Sequence, residues 1–246
     1  MCSSCCRGYP VRDDRAPSPE PEVLRATLLT DGSSDTVLLP PLRWLLGTLT
    51  SQPFELRWAD LRQLPAPLKE LTERIETALD LYPCTLLFVH RDAENGPPSA
   101  RHDEIVEATA NLSDVGHVAV VPVRMQEAWM LHDAVAIREA AGRPSSTDDL
   151  MLPSIGKVES LPNPKKVLHD ALAIASGAHG RRAKKFNPGF AAHRLADLIT
   201  DWNPLKRLKA FRRLEEDTRA ALTQLGLAAA ESDMNPAFER AGDHER

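Results

Sequence analysis

The sequence predicts an α/β protein: a mostly parallel, Rossmann-like sheet with helices on both faces, followed by a helical extension. Between residues 22 and 140, strand-like apolar runs alternate with segments of helical periodicity, which favours a doubly wound parallel sheet. Two of these runs, "CTLLFVHRD" and "GHVAVVPVRM", are almost continuously apolar, as in strands that are covered on both faces. From residue 141 to residue 228 the pattern changes to helices separated by proline-rich joints.

The first half of the core contains two strands and two helices. "EVLRATLLTDG" is a strand that ends at Asp31-Gly32, and the following "SSDTVLLPPLRWLLGTL" is a helix with Ser33 or Ser34 as its N-cap. The proline pair in that helix should bend or restart it. Residues 54–59 alternate between apolar and polar side chains, as in a strand, and "APLKELTERIETALDLY" has the spacing of an amphipathic helix.

The second half repeats this alternation and leads into the extension. A helix in "SARHDEIVEATANL" separates the two buried strands, and "EAWMLHDAVAIREA" is expected to form a further helix after the fourth strand. Three helical segments follow, each beginning near an Asn-Pro or Pro-Gly step, which is a helix-start signal. They are "NPKKVLHDALAIAS", "FNPGFAAHRLADLITD" and "NPLKRLKAFRRLEEDTRAALTQLG".

The two ends of the chain are expected to be a disordered tail over residues 1–21 and a frayed tail over residues 229–246. The first tail is rich in Cys, Arg, Pro and Ser, and it has no apolar region of the kind that a secretory signal needs. No run reaches the roughly 18 uncharged residues of a membrane span, so we expect a cytoplasmic protein. Three of the four cysteines crowd into "MCSSCC", which is not the pattern of a disulfide framework or a zinc site.

Acidic residues follow two of the predicted strands. Asp31 follows the first strand, and Asp92 with Glu94 follow the third, so the three carboxylates converge on one sheet edge if these strands are neighbours. Converging carboxylates repel one another, and a hard divalent cation such as Mg²⁺ would resolve the repulsion. The D-x-E spacing suits this role, because residues i and i+2 of an extended chain project to the same side. The alternative is that these acids cap helices or form loop turns.

Four further residues lie in or beside this candidate site. Asp35 lies four residues after Asp31, and Glu127 follows the fourth strand, where it could ligate a second metal ion or instead cap a helix or pair with Arg124. His90 alternates with apolar neighbours, as a core histidine does. Arg91 could neutralise the carboxylates or contact a phosphate group.

The segments "LLTDGSSD" and "FVHRDAEN" resemble the metal-binding motifs of the Toprim fold, which occurs in topoisomerases, primases and nucleases of the overcoming-lysogenization-defect type. In that family an E-G step follows the first strand and a D-x-D motif follows a later one. The resemblance implies Mg²⁺ or Mn²⁺ bound by Asp31, Asp92 and Glu94, with the first acid also acting as a proton carrier. This chain departs from the family pattern in having Asp31 in place of Glu and Glu94 in place of Asp.

Three other segments resemble compact bacterial Toprim-like proteins of the DUF4276 type, which are found among defence genes. They are "LLTDGSSDTVLLPPLRWLL", "VPVRMQEAWMLHD" and "LPNPKKVLHDAL", and they span most of residues 24–215. This resemblance implies a role in antiphage defence.

Nucleic-acid contacts, if present, must be local because the formal net charge is −5. The best candidate is the basic cluster in "GAHGRRAKKFNPG", although a solvated loop or helix end is at least as good an interpretation. Lys157, Lys165 and Lys166 form a second possible set, with solvated lysines as the default. Aromatic residues make up 5% of the chain, which favours contacts with phosphates over contacts with bases. The basic cluster in "GAHGRRAKKFNPG" consists of Arg181, Arg182, Lys184 and Lys185.

The leading functional hypothesis is a Mg²⁺- or Mn²⁺-dependent nuclease that hydrolyses DNA or RNA. Asp92 and Glu94 would hold metal, Asp31 would be a ligand or proton carrier, and Asp35 and Glu127 would support a second ion. The alternative is a non-catalytic Toprim-like subunit that binds metal or nucleotide and works with a partner ATPase or another defence protein. A haloacid-dehalogenase-like phosphatase fits less well, since its D-x-D motif follows the first strand, which here ends in D-G-S-S-D.

Overall fold

The computed structural model describes residues 23–229. The predicted N-terminal tail, three of the four cysteines and all but the first residue of the predicted C-terminal tail lie outside the described residues. Four strands form one sheet in the order β2-β1-β3-β4, and every neighbouring pair is parallel. This confirms the predicted α/β class with a parallel, Rossmann-like sheet. The strands are β1 (Leu24–Leu29), β2 (Phe54–Trp58), β3 (Leu86–His90) and β4 (Gly116–Val120).

Eight α-helices occur between residues 23 and 229, and five short 3-10 helices connect them. The α-helices are α1 (Leu39–Leu49), α2 (Leu71–Leu81), α3 (Pro98–Thr109), α4 (Ala134–Ala140), α5 (Pro164–Ser176), α6 (Arg181–Lys185), α7 (Pro188–Leu198) and α8 (Lys209–Gln224). The 3-10 helices are Ser33–Leu38, Leu61–Gln63, Gln126–Met130, Ile155–Ser160 and Asn203–Arg207. None of the helices in this part of the chain combines the length and the apolar composition that a bilayer span requires.

The sheet is covered on both faces, because alternate side chains of each strand enter different apolar clusters. In β3, Leu86 and Phe88 belong to one cluster, which includes residues of α1, α5, α7 and α8. Leu87 and Val89 belong to the other, which includes residues of α2 and α3. Each fully buried Leu or Phe side chain contributes about 1.5–3 kcal/mol. The near-continuous apolar run of β3 is thus the signature of a strand buried on both sides.

The helical extension shares its core with the sheet. Trp129 packs edge-on against Phe211 of α8, with ring centroids 5.3 Å apart. The Asn-Pro steps begin helices as predicted: the Asn163 side chain accepts a hydrogen bond from the Lys166 N–H at 2.9 Å, and the Asn187 side chain accepts one from the Phe190 N–H at 3.1 Å. These caps set where α5 and α7 start, and so where α5 meets the edge of the sheet.

Three predicted helices are divided in the structure. The segment "NPLKRLKAFRRLEEDTRAALTQLG" forms the 3-10 helix Asn203–Arg207 and then α8, with Leu208 in an extended conformation between them. The segment after β1 begins as the 3-10 helix Ser33–Leu38, and α1 then starts with Pro40 and Pro41 in its first turn, where proline is tolerated. The expectation of a single helix over "EAWMLHDAVAIREA" is wrong. The Asp133 side chain accepts a hydrogen bond from the Ala136 N–H at 2.9 Å, so Asp133 caps a new helix, α4, and Gln126–Met130 stays a separate 3-10 turn.

Candidate functional site

The site lies beyond the carboxyl ends of β1 and β3, at the point where the strand order reverses. From β1 the chain crosses to β2 on one side, and from β3 it crosses to β4 on the other. Parallel doubly wound sheets bind ligands at this switch point. β1 and β3 are direct neighbours, as the predicted convergence of their terminal acids requires, with Leu29 opposite Val89.

Asp92 is at the centre of the site. Its Oδ1 atom is buried and has no hydrogen-bond partner among the described residues, while the side chain as a whole is 27% exposed. Burial, together with the nearby carboxylates of Glu127, Asp35 and Asp31, raises the pKa of Asp92 to about 7. A hydrogen bond from the Gln126 backbone acts in the opposite direction. The four acids are therefore close enough to interact electrostatically.

Asp35 is buried and holds two loops together. Its Oδ2 accepts a hydrogen bond from the Gly32 N–H at 3.0 Å, and its Oδ1 accepts bonds at 2.9 Å from the Ser34 hydroxyl and the Gln126 amide. The segment after β1 is thereby tied to the segment after β4. Gln126 was not among the residues that the sequence indicated, since a single glutamine has no recognisable pattern.

Glu127 is also buried, and its partner comes from the helical extension. The Lys165 ammonium, in the first turn of α5, lies 3.2 Å from Oε1 of Glu127. Glu127 does not pair with Arg124, the partner that its position suggested; the Arg124 guanidinium donates to Oδ1 of Asn95 at 3.3 Å. Of the other two lysines considered as phosphate contacts, Lys166 pairs with Asp170 and Lys157 is exposed.

Asp31 is held between two arginines. Arg74 of α2 approaches Oδ1 at 2.5 Å, and Arg91 approaches Oδ2 at 3.4 Å through its Nε atom. Arg74 also donates to the Thr30 carbonyl at 2.6 Å, and Arg91 lies 3.3 Å from a carboxylate oxygen of Glu104. Arg74 is a site residue that the sequence did not reveal, because an arginine on an amphipathic helix is by default a solvated side chain.

Glu94 differs from the sequence-based expectation. Its φ angle is +50°, so the chain is not extended from Asp92 to Glu94, and the projection of both side chains to one side does not follow. The intervening Ala93 is buried, whereas Glu94 is exposed and its backbone N–H donates to the Arg124 carbonyl at 2.9 Å. The role of Glu94 as a metal ligand stays a prediction.

His90 is a buried histidine at the end of β3. Its Nδ1 lies 2.9 Å from the Val120 carbonyl, an acceptor, so this nitrogen carries a proton and donates. Burial lowers the pKa of His90, although the carboxylates of Asp35 and Asp31 partly oppose that effect. The neutral ring therefore presents the lone pair of Nε2 to Oδ1 of Asp92, 3.5 Å away.

The donor set suits a hard cation in its chemistry, since it offers carboxylate oxygens and one buried oxygen without a partner. However, within residues 23–229 no three acidic, histidine or cysteine side chains stand in the arrangement that would hold a metal ion. Asp31, Asp35 and Glu127 are each turned toward other partners: two arginines, the Gln126 amide and Lys165. Metal binding would therefore require some of these side chains to rotate.

The basic cluster forms the short helix α6 and is exposed. Among the ion pairs of the described residues, none joins its four side chains to the carboxylates. Their predicted contact with nucleic acid is independent of the site geometry and stays a prediction. The residues are Arg181, Arg182, Lys184 and Lys185.

Comparisons with known proteins add no relative: no family model matches the chain, and neither the curated proteins nor the solved structures contain a match.

Proposed function

We propose that this protein is a Mg²⁺- or Mn²⁺-dependent phosphodiester hydrolase of Toprim type, acting on DNA or RNA in the bacterial cytoplasm as part of antiphage defence. The observation that carries the proposal is the position of Asp92. Acidic side chains from the segments after β1 and β4 surround it, and its buried Oδ1 atom has no hydrogen-bond partner within the described chain.

The cost of this arrangement supports the proposal of metal dependence. Burying a carboxylate near three others is unfavourable unless protons or cations offset the negative charge. Lys165 offsets the negative charge of Glu127, and Arg74 and Arg91 offset that of Asp31. Within the described residues, no cationic side chain pairs with Asp35. Mg²⁺ prefers oxygen ligands and binds through one or two carboxylates together with substrate phosphates, so the unpartnered oxygen of Asp92 is a suitable ligand.

Action on phosphodiesters is supported by Arg74 and Arg91. Both guanidinium groups contact the Asp31 carboxylate at the rim of the site. Arginine binds phosphate with the same geometry as carboxylate, so these two side chains could receive a phosphate when Asp31 turns toward the metal. A bound divalent cation would activate water and offset charge on the nonbridging oxygens. Asp31, which is about half exposed, would be the group that carries a proton to or from solvent.

The motif resemblance supports the same reading. "LLTDGSSD" and "FVHRDAEN" end neighbouring parallel strands here. We therefore propose a Toprim-like site in which Asp92 and Asp31 are the principal acids. Asp35 and Glu127 support it, and Glu94 contributes only if its turn rearranges.

A cleavage assay tests the proposal. The purified full chain, Asp92→Asn and Asp114→Asn are each incubated with supercoiled plasmid and with RNA in MgCl₂ or MnCl₂. Asp114 is an exposed acid just before β4, at the opposite end of the strands from the site, and serves as the matched control. We expect cleavage by the wild type and Asp114→Asn but not by Asp92→Asn. Inertness of all three proteins with both metals would rule out hydrolysis of these substrates.

The second candidate is a non-catalytic Toprim-like subunit that binds metal or nucleotide and works with a partner ATPase. It is favoured by one observation: the carboxylate of Asp31 is shorter than the glutamate of the family pattern and is engaged by two arginines. Calorimetric binding of Mn²⁺ without any cleavage would support this candidate. Cleavage that depends on Asp92 would eliminate it.

A further inference from the structure

A cavity adjoins the carboxylate site, which is the group of acids Asp31, Asp35, Asp92 and Glu127. Its volume is about 260 Å³, and it opens beyond the carboxyl ends of β1 and β2. Asp31 and Arg74 form its polar side, whereas Trp58, Leu61 and Leu68 form much of its apolar side. Asp31 and Arg74 belong both to this cavity and to the surroundings of the carboxylate site. A ligand in the cavity would therefore lie directly beside the reacting group at the carboxylate site.

One wall of the cavity contains the Trp58 indole and the Arg62 guanidinium that lies over it. The Trp58 indole N–H donates to the Thr30 hydroxyl at 3.0 Å, which sets the orientation of the ring. The Arg62 guanidinium lies over the ring, 4.8 Å from its centroid, and is itself held by two 2.7 Å hydrogen bonds to the Asp60 carboxylate. Aromatic rings and guanidinium planes are the surfaces on which proteins stack unpaired bases.

The size and polarity of the cavity select its occupant. Drug-sized ligands occupy sites of about 300–1,000 Å³, so this cavity suits one base with its sugar. Its apolar wall matches the face of a base, and Arg74 at the rim matches the phosphate attached to that nucleoside. A base inside a duplex is stacked and paired, and it could enter only after leaving the helix.

We propose that this cavity binds the base of one unpaired nucleotide next to the phosphodiester at the carboxylate site, so that the protein acts on single-stranded or locally unpaired nucleic acid. This inference rests on the proposed function for the identity of the adjacent group. It assigns to Trp58 a role that the low aromatic content of the chain did not suggest.

Binding measurements test the proposal without relying on turnover. The parent protein is the full chain with Asp92→Asn, and Trp58→Leu and Trp58→Phe are added to it. Labelled single-stranded DNA and RNA 12-mers and the matching duplexes are titrated in MgCl₂, and melting temperatures verify that each variant is folded. Phenylalanine keeps an aromatic face and leucine does not, so comparing the two variants separates the effect of stacking from the effect of side-chain volume.

We expect Trp58→Leu to weaken single-strand binding at least about fivefold, with Trp58→Phe close to the parent and duplex binding unchanged. We also expect single strands to quench tryptophan fluorescence in the parent and less so in Trp58→Phe, a readout that survives if the Leu variant does not fold. Equal binding by all three folded proteins, or equal losses for single strands and duplexes, would overturn the proposal. Failure of the proposed function would instead appear as the absence of Asp92-dependent cleavage, whatever Trp58 does.

Discussion

The ammonium group of Lys165 lies 3.2 Å from Oε1 of Glu127, and this pair joins the helical extension to the carboxylate site. Glu127 is almost fully buried, whereas Lys165 is about half exposed. The extension therefore supplies a cation to the acids that the sheet brings together, in addition to covering one face of the sheet.

We expect Lys165→Met to lower the free energy of unfolding by about 1–3 kcal/mol in EDTA, because it leaves a buried carboxylate without its partner. The loss should shrink when MnCl₂ is added, since the metal replaces the missing positive charge. Urea unfolding measures both quantities. Lys166→Met is the matched control: its partner Asp170 is exposed, and surface pairs contribute at most about 1 kcal/mol. Equal losses for the two variants would contradict a special role for Lys165.

The pH dependence of stability should report on Asp92. Burial and the surrounding carboxylates raise the pKa of Asp92 from 3.8 to about 7 in the folded protein. Between these values the folded state keeps a proton that the unfolded state has lost, so this group makes stability fall as the pH rises. Asparagine carries no charge and removes the effect.

We therefore expect Asp92→Asn in EDTA to be more stable than the wild type at pH 8, by up to about 4 kcal/mol, and the difference to vanish near pH 4. Urea unfolding across this range measures it, with Asp114→Asn as the control. Parallel stability curves for the wild type and Asp92→Asn would show that Asp92 has no raised pKa.

Asp35 should combine a structural role with a role in metal binding. Replacing it with Asn puts an amide nitrogen opposite the Gly32 N–H or opposite the Gln126 amide, both of which donate hydrogen bonds. We expect Asp35→Asn to cost about 1–3 kcal/mol of stability and to weaken Mn²⁺ binding. Ser34→Ala, which removes only one bond to Asp35, should cost less and leave Mn²⁺ affinity unchanged. Unaltered Mn²⁺ binding by Asp35→Asn would make Asp35 purely structural.

Arg74 should contribute to substrate binding through a phosphate group. We expect Arg74→Met to raise the KM for nucleic-acid cleavage about tenfold, which corresponds to the loss of about 1.4 kcal/mol of phosphate binding. Arg57→Met is the matched control, because Arg57 pairs with Glu55 on the exposed side of β2. If steady-state kinetics give the same KM for both variants, Arg74 does not contribute to substrate binding.

The fold and the location of the candidate site could be predicted from local features of the sequence. The near-continuous apolar run before Asp92 identifies a strand buried on both faces, and acids directly after β1 and β3 meet wherever those strands are neighbours. By contrast, the contact of Arg74 with Asp31 spans 43 positions and depends on how α2 packs, which no local pattern encodes. The pairing of Lys165 with Glu127 likewise depends on the docking of α5.

Glu94 shows the limit of spacing arguments. The D-x-E pattern implies a common direction only if the backbone is extended, and one residue in the left-handed region is enough to break that relation. The sequence does contain a turn signal here, "ENGPP", which directly follows Asp92-Ala93. It marks the start of the loop but not the residue at which the strand direction is lost.

Isothermal titration calorimetry of Mn²⁺ binding to the wild type, Asp92→Asn and Asp114→Asn at pH 7.5 tests the central claim most directly. We expect the wild type and Asp114→Asn to bind with the same affinity, and Asp92→Asn to show no measurable binding. Undiminished binding by Asp92→Asn, or no binding by the wild type, would contradict a metal site built around Asp92.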